Sequence, residues 1–523
     1  MTTIARLSAP LFRAGEWNGF LTLATDNLAN IVILPPILMT AFHMPPEIVY
    51  GKIMCGIAVS VFVAQGLFVY LAYRLAKATG RDDVTALPYG VSTPVMFVYL
   101  FAVIGLVYHE TNDPLLAYRA SLGFGFIGGL VAMSGALVGS LVQRIAPLPG
   151  ILGTMGGVAL AWIVIVPISI ILGNPLIGLP CLFIVLLGLL GNFRFPFNAP
   201  AMLVTVLVGI AIGAFTGEST IHVEVLAMRP PLPVLDDLWI GLREALARPE
   251  ILAVVIPVQV YNFMETIGNV EMARTAGDTY NVRTSLLLDG FGTCLAAMFG
   301  SPFSTTVYLG HPGYKQMGGR RGYAMMSGLF LLAASIGGFF AFFQHLIPTP
   351  SVAALIVFIG LASTAYPFQV IPVSQAAAIV TAFIPHIGDL MKKQLDGTLA
   401  EVLPAGAINP GLMTNLANNQ AVYLSSYGLL SHGAIITGLL WGSIVAFLID
   451  KQLGKAVVFT AVAAGLSALG FIHADKLGLY MSPITGAYII LAVLLAASWA
   501  WERRQAALPT KPLPELAEAD SGD

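Results

Sequence analysis

The run TALPYGVSTPV, residues 85–95, opens the third apolar span of this chain, and GSPFSTTVYLG, residues 300–310, opens the tenth. Each is rich in Pro, Gly, Ser and Thr and leads into a short apolar stretch. Taken singly, either segment reads equally as a Pro-kinked ordinary span, because Pro and Gly are common in membrane helices. As a pair at corresponding places in two halves, they point to an inverted-repeat transporter whose half-helices meet at the membrane midplane. The solute would lie between them. Half-helix N-termini carry free N–H groups and a positive dipole end, which suit a polar or anionic solute.

Working outward, apolar runs of roughly 20 residues, the length that crosses hydrocarbon, fall at about 18–40, 50–73, 84–107, 117–142, 149–172, 175–193, 198–215, 251–273, 283–299, 301–316, 322–346, 351–370, 372–391, 430–450, 455–473 and 481–501. The chain has 523 residues, 57% of them hydrophobic and 10% charged. Soluble domains carry roughly 25% charge. This is the composition of an all-α polytopic membrane protein. A net charge of −2 offers no basic face for nucleic acid, and that class is set aside. Cys55, Cys181 and Cys294 lie in apolar segments without metal-like spacing, so they read as core residues, and no metal or cofactor is expected.

Lys and Arg gather in alternate connections, among them Arg74, Lys77 and Arg81, then Lys315, Arg320 and Arg321, then Arg503 and Arg504. The positive-inside rule then places both termini in the cytoplasm, as for a protein of the bacterial inner (plasma) membrane. Lys392 and Lys393 fall on the other side, so the region 392–429 is the least determined and leaves room for a re-entrant or tilted segment. The N-terminus has no apolar run followed by a small-residue cleavage site, and no removable signal peptide is expected.

These features divide the chain into a cytoplasmic N-terminus (1–16), a first repeat (17–216), a linker on the extracellular or periplasmic side (217–250), a second repeat (251–450), additional helices (451–501) and a disordered cytoplasmic tail (502–523). Within the linker, DDLWIGLREALA, residues 236–247, has an acidic start and helically spaced apolar residues, as an interfacial helix would. An ordinary loop with a helical turn reads equally well.

Glu265 lies within VIPVQVYNFMETIGNVEMA, residues 255–273. A charged acid at membrane depth costs a few kcal/mol or more, so it normally faces a protein interior or watery cavity and handles an ion, a proton or a solute. Helical spacing places Tyr261, Asn262, Gly268 and Asn269 on its face. Tyr89 and Phe303, in the two interrupted openings, are candidates to cover a flat solute, though lone aromatics also serve as packing. Asp26, Asn27 and Asn30 are polar at depth in the first span, suited to a cation or proton relay or to interhelical hydrogen bonds.

YNFMETIGNVEMARTAG, residues 261–277, followed by LLLDGFGTCLAAMFGSPFSTTVYLG, residues 286–310, and MGGRRGY, residues 317–323, resembles the core of the nucleobase/ascorbate permeases (nucleobase:cation symporter-2), and within them the adenine/guanine/hypoxanthine (xanthine/uracil) permease branch. Asp289, Gly292, Thr293, Gly300, Thr306 and Tyr308 fall on that family's motif, and Gly318, Gly319, Arg320 and Gly322 close it. The first span, NGFLTLATDNLANIVILPPIL, residues 18–38, resembles the family's first helix. The resemblance implies a seven-plus-seven inverted-repeat fold with core and gate domains, two short half-helices at the midplane, and two extra C-terminal helices beyond the usual fourteen. It implies elevator transport of a purine or related nucleobase by symport with a proton, or Na+. It makes Glu265 the solute-binding and proton-coupling acid; beside this, Ser92, Ser304, Thr305 and Asn269 are read as solute contacts, and Asp289 and Asp26 as structural residues of the core, Asp289 bonding a broken-helix backbone. A carboxyl in a desolvated cavity can exchange a proton near neutral pH. Family members are often dimers through the gate, so a homodimer is an expected partner state, alongside the lipid bilayer and the solute.

The chain departs from the family where its second solute-gripping acid would stand, which is Gly310 here, and where its third-span Asn would stand, which is Ser92. His311, beside Gly310, could donate or accept in place of the acid, or simply end a helix. The sulfate-permease and bicarbonate-transporter families share the architecture, so an anion carrier is the alternative reading. An enzyme is not expected, since His222, His345, His386, His432 and His473 are scattered. A passive channel would not need an acid that changes protonation in each cycle.

Overall fold

The computed structural model describes residues 14–145, 147–191, 193–196, 199–222, 226–402, 424–474 and 478–506. Most of the expected N-terminal segment and tail, and residues 403–423 of the least determined region, lie outside the described residues. In the first half, helices run α1 (Ala14–Thr40), α2 (Pro46–Thr79), α3 (Thr93–Thr111), α4 (Pro114–Ile145), α5 (Leu148–Gly173), α6 (Pro175–Leu189) and α7 (Ala201–Thr216). After the linker helix α8 (Leu235–Leu246), the second half runs α9 (Pro249–Thr275), α10 (Val282–Met298), α11 (His311–Gln316), α12 (Gly322–Ile336), α13 (Phe339–Leu346), α14 (Thr349–Val370), α15 (Ala376–Val402), α16 (Leu424–Ser431) and α17 (Ala434–Ile449). Two more, α18 (Leu453–Ala468) and α19 (Pro483–Ala506), complete it. The helices α12 and α13 bend by 94° and α16 and α17 by 83°, each at a glycine with positive φ, Gly338 and Gly433. This is the seven-plus-seven inverted-repeat transporter fold. Helix α19 continues through Glu502 to Ala506, so the start of the expected disordered tail is helical.

The two interrupted openings form strands, β1 (Tyr89–Val91) and β2 (Thr305–Val307), which cross antiparallel with Tyr89 opposite Val307 and Val91 opposite Thr305. Ser92 N–H donates to Ser304 O at 2.9 Å and Tyr308 N–H to Pro88 O at 2.8 Å, extending the pair at both ends. Residues 89, 91, 305 and 307 therefore turn their carbonyls outward, where no lipid group could satisfy them. Side chains do so instead. Gln65 Nε2 donates to Tyr89 O (2.8 Å), Tyr308 OH to Val91 O (3.0 Å), Asn262 Nδ2 to Thr305 O (3.0 Å) and Asn269 Nδ2 to Val307 O (2.7 Å). The polar residues at membrane depth are thus largely explained by two short strands that need donors.

Around this crossing an apolar core joins Leu23 of α1, Phe68 of α2, Val270 of α9 and Tyr323 of α12. A separate gate cluster joins Val164 and Ile171 of α5, Cys181 of α6 and Ala353 and Val357 of α14. The halves of the crossing are unequal. Helix α3 continues for 19 residues after β1, whereas α11 has only 6 after β2, so a helix-end field of any strength comes from α3 alone.

At one end, an ionic latch ties the connections before β1 and after β2. The fully buried Asp278 accepts from Lys315 Nζ at 2.7 Å, His311 Nε2 at 3.0 Å and the Thr85 amide at 3.1 Å, and pairs with Arg81 at 3.2 Å. Burial pushes its carboxyl up, but these partners outweigh that and hold it below its ordinary value. The Arg81 hydrogen bonds, with help from Lys315, hold Asp83 down at about 2. Carboxyls depressed on folding stabilise above their unfolded value of about 4 and lose that contribution as pH falls through the folded value. Asp278→Asn is therefore expected to lower the melting temperature at pH 7 and to differ less from the parent at pH 3. A gap that stays constant across that range would mean the latch is not ionic. Nearby, Glu16 caps α12 from outside, its carboxylate accepting from the amides of Arg320 (2.9 Å), Arg321 (3.2 Å) and Tyr323 (2.9 Å).

The linker helix α8 is docked on α4 rather than loose. Gly241 and Gly123 let the backbones touch: a Cβ on Gly123 would meet Gly241 O at 2.0 Å. Asp237 lies between Lys52 Nζ (2.5 Å) and Arg119 Nε (2.8 Å).

Candidate functional site

Helix α9 carries two adjacent polar faces. Gln259, Asn262, Thr266 and Asn269, spaced three and four apart, run along β2. Gln259 Nε2 donates to Ser304 Oγ at 2.6 Å, and Thr266 Oγ1 lies 2.9 Å from Thr306 Oγ1. That face is consumed by structure. The neighbouring face, Tyr261, Met264, Glu265 and Gly268, borders a cavity of about 30 Å³, with Asn269 at its edge. Leu309 closes it from the core, and the gate supplies Leu152 and Met155 of α5 with Ser363, Tyr366 and Pro367 of α14. The space holds about two water-sized groups. A two-ring base would need the core and gate walls to part.

Glu265 is half-buried and is the only charged side chain among the described residues lining this cavity. Its recorded hydrogen bond comes from Ser92 Oγ, at 3.2 Å from Oε2. Ser92 is the residue just before α3, and its hydroxyl reaches Glu265 rather than capping its own helix. The crossing therefore delivers a neutral donor from the first half to an acid from the second. The arrangement can bind a small solute through one carboxyl or carboxylate, one hydroxyl, an amide edge and an apolar surround.

Of the expected solute contacts, Tyr261, Glu265 and Asn269 line the cavity, and Ser92 touches Glu265. The others face elsewhere. Tyr89 is fully buried with its OH donating to Thr305 Oγ1 at 2.6 Å, so Tyr89 and Thr305 hold each other. Phe303 packs in the apolar core, and Ser304 accepts from Gln259. His311 is fully buried against Asp278 in the latch and is no substitute for a solute-gripping acid. Gly310 has φ +99°, a left-handed backbone that side chains rarely adopt, so the turn into α11 demands glycine there. Asp289 is fully buried and accepts from Thr266 Oγ1 at 2.7 Å. Asp26 is half-buried, and its neighbours Asn27 and Asn30 make the interhelical bonds, Asn30 Nδ2 donating to Tyr308 OH at 3.0 Å.

The sequence alone did not point to Leu152, Met155, Met264, Leu309, Ser363, Tyr366 and Pro367. Nothing local distinguishes a cavity-facing Leu or Met from a packed one, and Ser363, Tyr366 and Pro367 lie in the broken end of an otherwise apolar helix.

No family profile matches the chain, and no curated protein matches it in sequence. Among solved structures, the transmembrane domain of a cyanobacterium bicarbonate transporter, BicA, is 16% identical with a TM-score of 0.52, covering 73% of this chain and 97% of that one. SLC26A9 is 12% identical with a TM-score of 0.50, covering 71% of this chain and 62% of that one. At such identities the likeness is one of fold. It overturns the expected membership of the nucleobase/ascorbate permeases; of the residues that carried that resemblance, Asp289, Thr293, Thr306 and Tyr308 make hydrogen bonds around the strand crossing.

Proposed function

We propose that the protein is a secondary carrier of a small monovalent anion, moved together with a proton on Glu265 as the core slides past the gate in an elevator movement. The observation that carries this reading is the cavity at Glu265, which lies between core and gate and, among the described residues, is lined by one acid and no basic side chain. An anion beside ionised Glu265 is repelled, by about 1 kcal/mol at 4 Å in water and about 4 kcal/mol at the effective dielectric of a protein surface. A proton on Glu265 removes the repulsion and adds an O–H donor. Proton and anion then load together or not at all. The bicarbonate transporter among the structural neighbours supports a small anion, and so does a cavity of about 30 Å³. In this reading residues 17–216 and 251–450 act as the two repeats.

The test is uptake into proteoliposomes with an alkaline interior, using formate, bicarbonate, acetate, sulfate and a panel of uncharged solutes. Accumulation of one or more monoanions is expected, with little sulfate, whose double charge and hydration suit neither one acid nor an apolar wall. Uptake confined to uncharged or cationic solutes would remove the proposal.

A further inference from the structure

Helix α15 belongs to the apolar span Val373–Leu399, which holds Asp389, Lys392, Lys393 and Asp396. Lys393 stands six residues inside the end of that span, about 9 Å at the rise of a helix. A lysine at such depth either stretches along its helix to the interface or faces a protein interior. Lys392 pairs locally, with Asp396 one turn on, at 2.6 Å. Lys393 turns inward. The stripe His386, Leu390 and Lys393 faces α5 and the core: His386 Nε2 lies 3.2 Å from Thr154 Oγ1, Leu390 joins the large apolar core, and Lys393 Nζ lies 5.1 Å from the centre of the Trp162 ring. Trp162 is a point where gate meets core. It stands two turns beyond Met155 of the Glu265 cavity on α5, and its ring stacks on Phe101 of α3 at 5.5 Å. Helix α3 leads from Ser92 away from the Asp278 latch, so this aromatic pair closes the seam on the far side of Glu265. The charge of Lys393 is only partly answered there: Asp389 Oδ1 lies 3.4 Å from Nζ and already accepts from Ser431 Oγ at 2.6 Å. An ammonium has three donors, and the Lys393 side chain is 30% exposed.

We infer that Lys393, held over Trp162, is a way station for the carried anion, reached when the core moves and Phe101 leaves the ring. The inference rests on the anion-carrier reading above. It meets a difficulty of the Glu265 cavity, whose acid repels an anion until a proton arrives: a positive charge along the seam raises the local anion concentration beforehand. A lysine whose charge is shared with Asp389 and an aromatic face holds an anion weakly, as a station that must be left requires. Arg81, Lys315 and Arg320 mark the latch end as cytoplasmic, so Lys393 serves the outer face.

The test is the kinetics of formate and bicarbonate transport in proteoliposomes, measured separately from each face for the parent, Lys393→Gln and Lys393→Arg, with melting temperatures alongside. Lys393→Gln should raise KM about tenfold or more, the loss expected of one hydrogen bond to a charged group, on the face away from the latch only and with kcat kept. Lys393→Arg should restore the KM of the parent. If the parent carries a monoanion and Lys393→Gln has the same KM on that face, the inference is overturned and the carrier reading stands. A KM raised equally on both faces, or left high by Lys393→Arg, would mark a packing role and also overturn it. A parent that carries no anion would remove both. Should Lys393→Gln fail to fold, Lys393→Met, which keeps the stem on the ring, decides in its place.

Discussion

Glu265→Gln is expected to fold, reach the membrane and still exchange anion for anion, while losing all accumulation driven by a pH gradient. The amide keeps the shape and can take the Ser92 hydrogen bond, which is 3.2 Å long in the parent, but it cannot pick up and release a proton. For one monoanion moved with one proton, each pH unit across the membrane supports about tenfold accumulation, since one unit is 1.36 kcal/mol. The parent should approach that ratio under a gradient of one unit, and the variant should stay at one. Binding gives a second readout. Anion affinity of the parent should fall as pH rises, because ionised Glu265 repels the solute, whereas the affinity of the variant should be flat. If Glu265→Gln accumulates anion as the parent does, the proton is carried elsewhere, and the half-buried Asp26 is the next acid to replace.

The sequence displayed the membrane spans, the two interruptions and the acid at depth because each rests on a local rule: apolar length, helix breakers, and the cost of charge in hydrocarbon. What it did not display was which way each polar side chain points. Asn262, Asn269 and Glu265 lie within seven residues of α9 and read as one face. In the structure the two amides donate to strand carbonyls and only Glu265 and its neighbours turn wholly to the cavity. The division arises from β2, whose outward carbonyls claim every donor within reach, and a two-residue strand period has no signature in a helix pattern. His311 misled for a related reason. Its partner Asp278 lies 33 positions away, and no spacing rule joins them. The nucleobase resemblance arose from the same glycines and threonines, which are the chemistry of a strand crossing and do not specify what is carried past it.

Two glycines separate the crossing from the cavity and provide the sharpest test of this division. A Cβ on Gly90, in the middle of β1, would lie 2.1 Å from Asn27 Oδ1 and 2.3 Å from Tyr308 OH. Neither side chain can retreat freely, since Asn27 Nδ2 donates to Tyr89 O and Tyr308 OH donates to Val91 O. Gly90→Ala thus combines overpacking, which costs about 1–3 kcal/mol, with the loss of the donor to the buried Val91 O, at about 1–3 kcal/mol, while Tyr89 O keeps its bond from Gln65. A loss of about 3 kcal/mol or more is expected, seen as a large fall in melting temperature and little monodisperse protein after extraction. Gly268, on the cavity face of α9, has nothing within 4 Å of where its Cβ would stand. Gly268→Ala should leave melting unchanged or raised slightly, since Gly in a helix interior costs about 0.5–1 kcal/mol relative to Ala. Its methyl group would instead take up part of the cavity of about 30 Å³ and weaken solute binding. If both variants melted alike and bound solute alike, the crossing would not be the rigid element that presents Glu265, and the site would have to be sought elsewhere in the core.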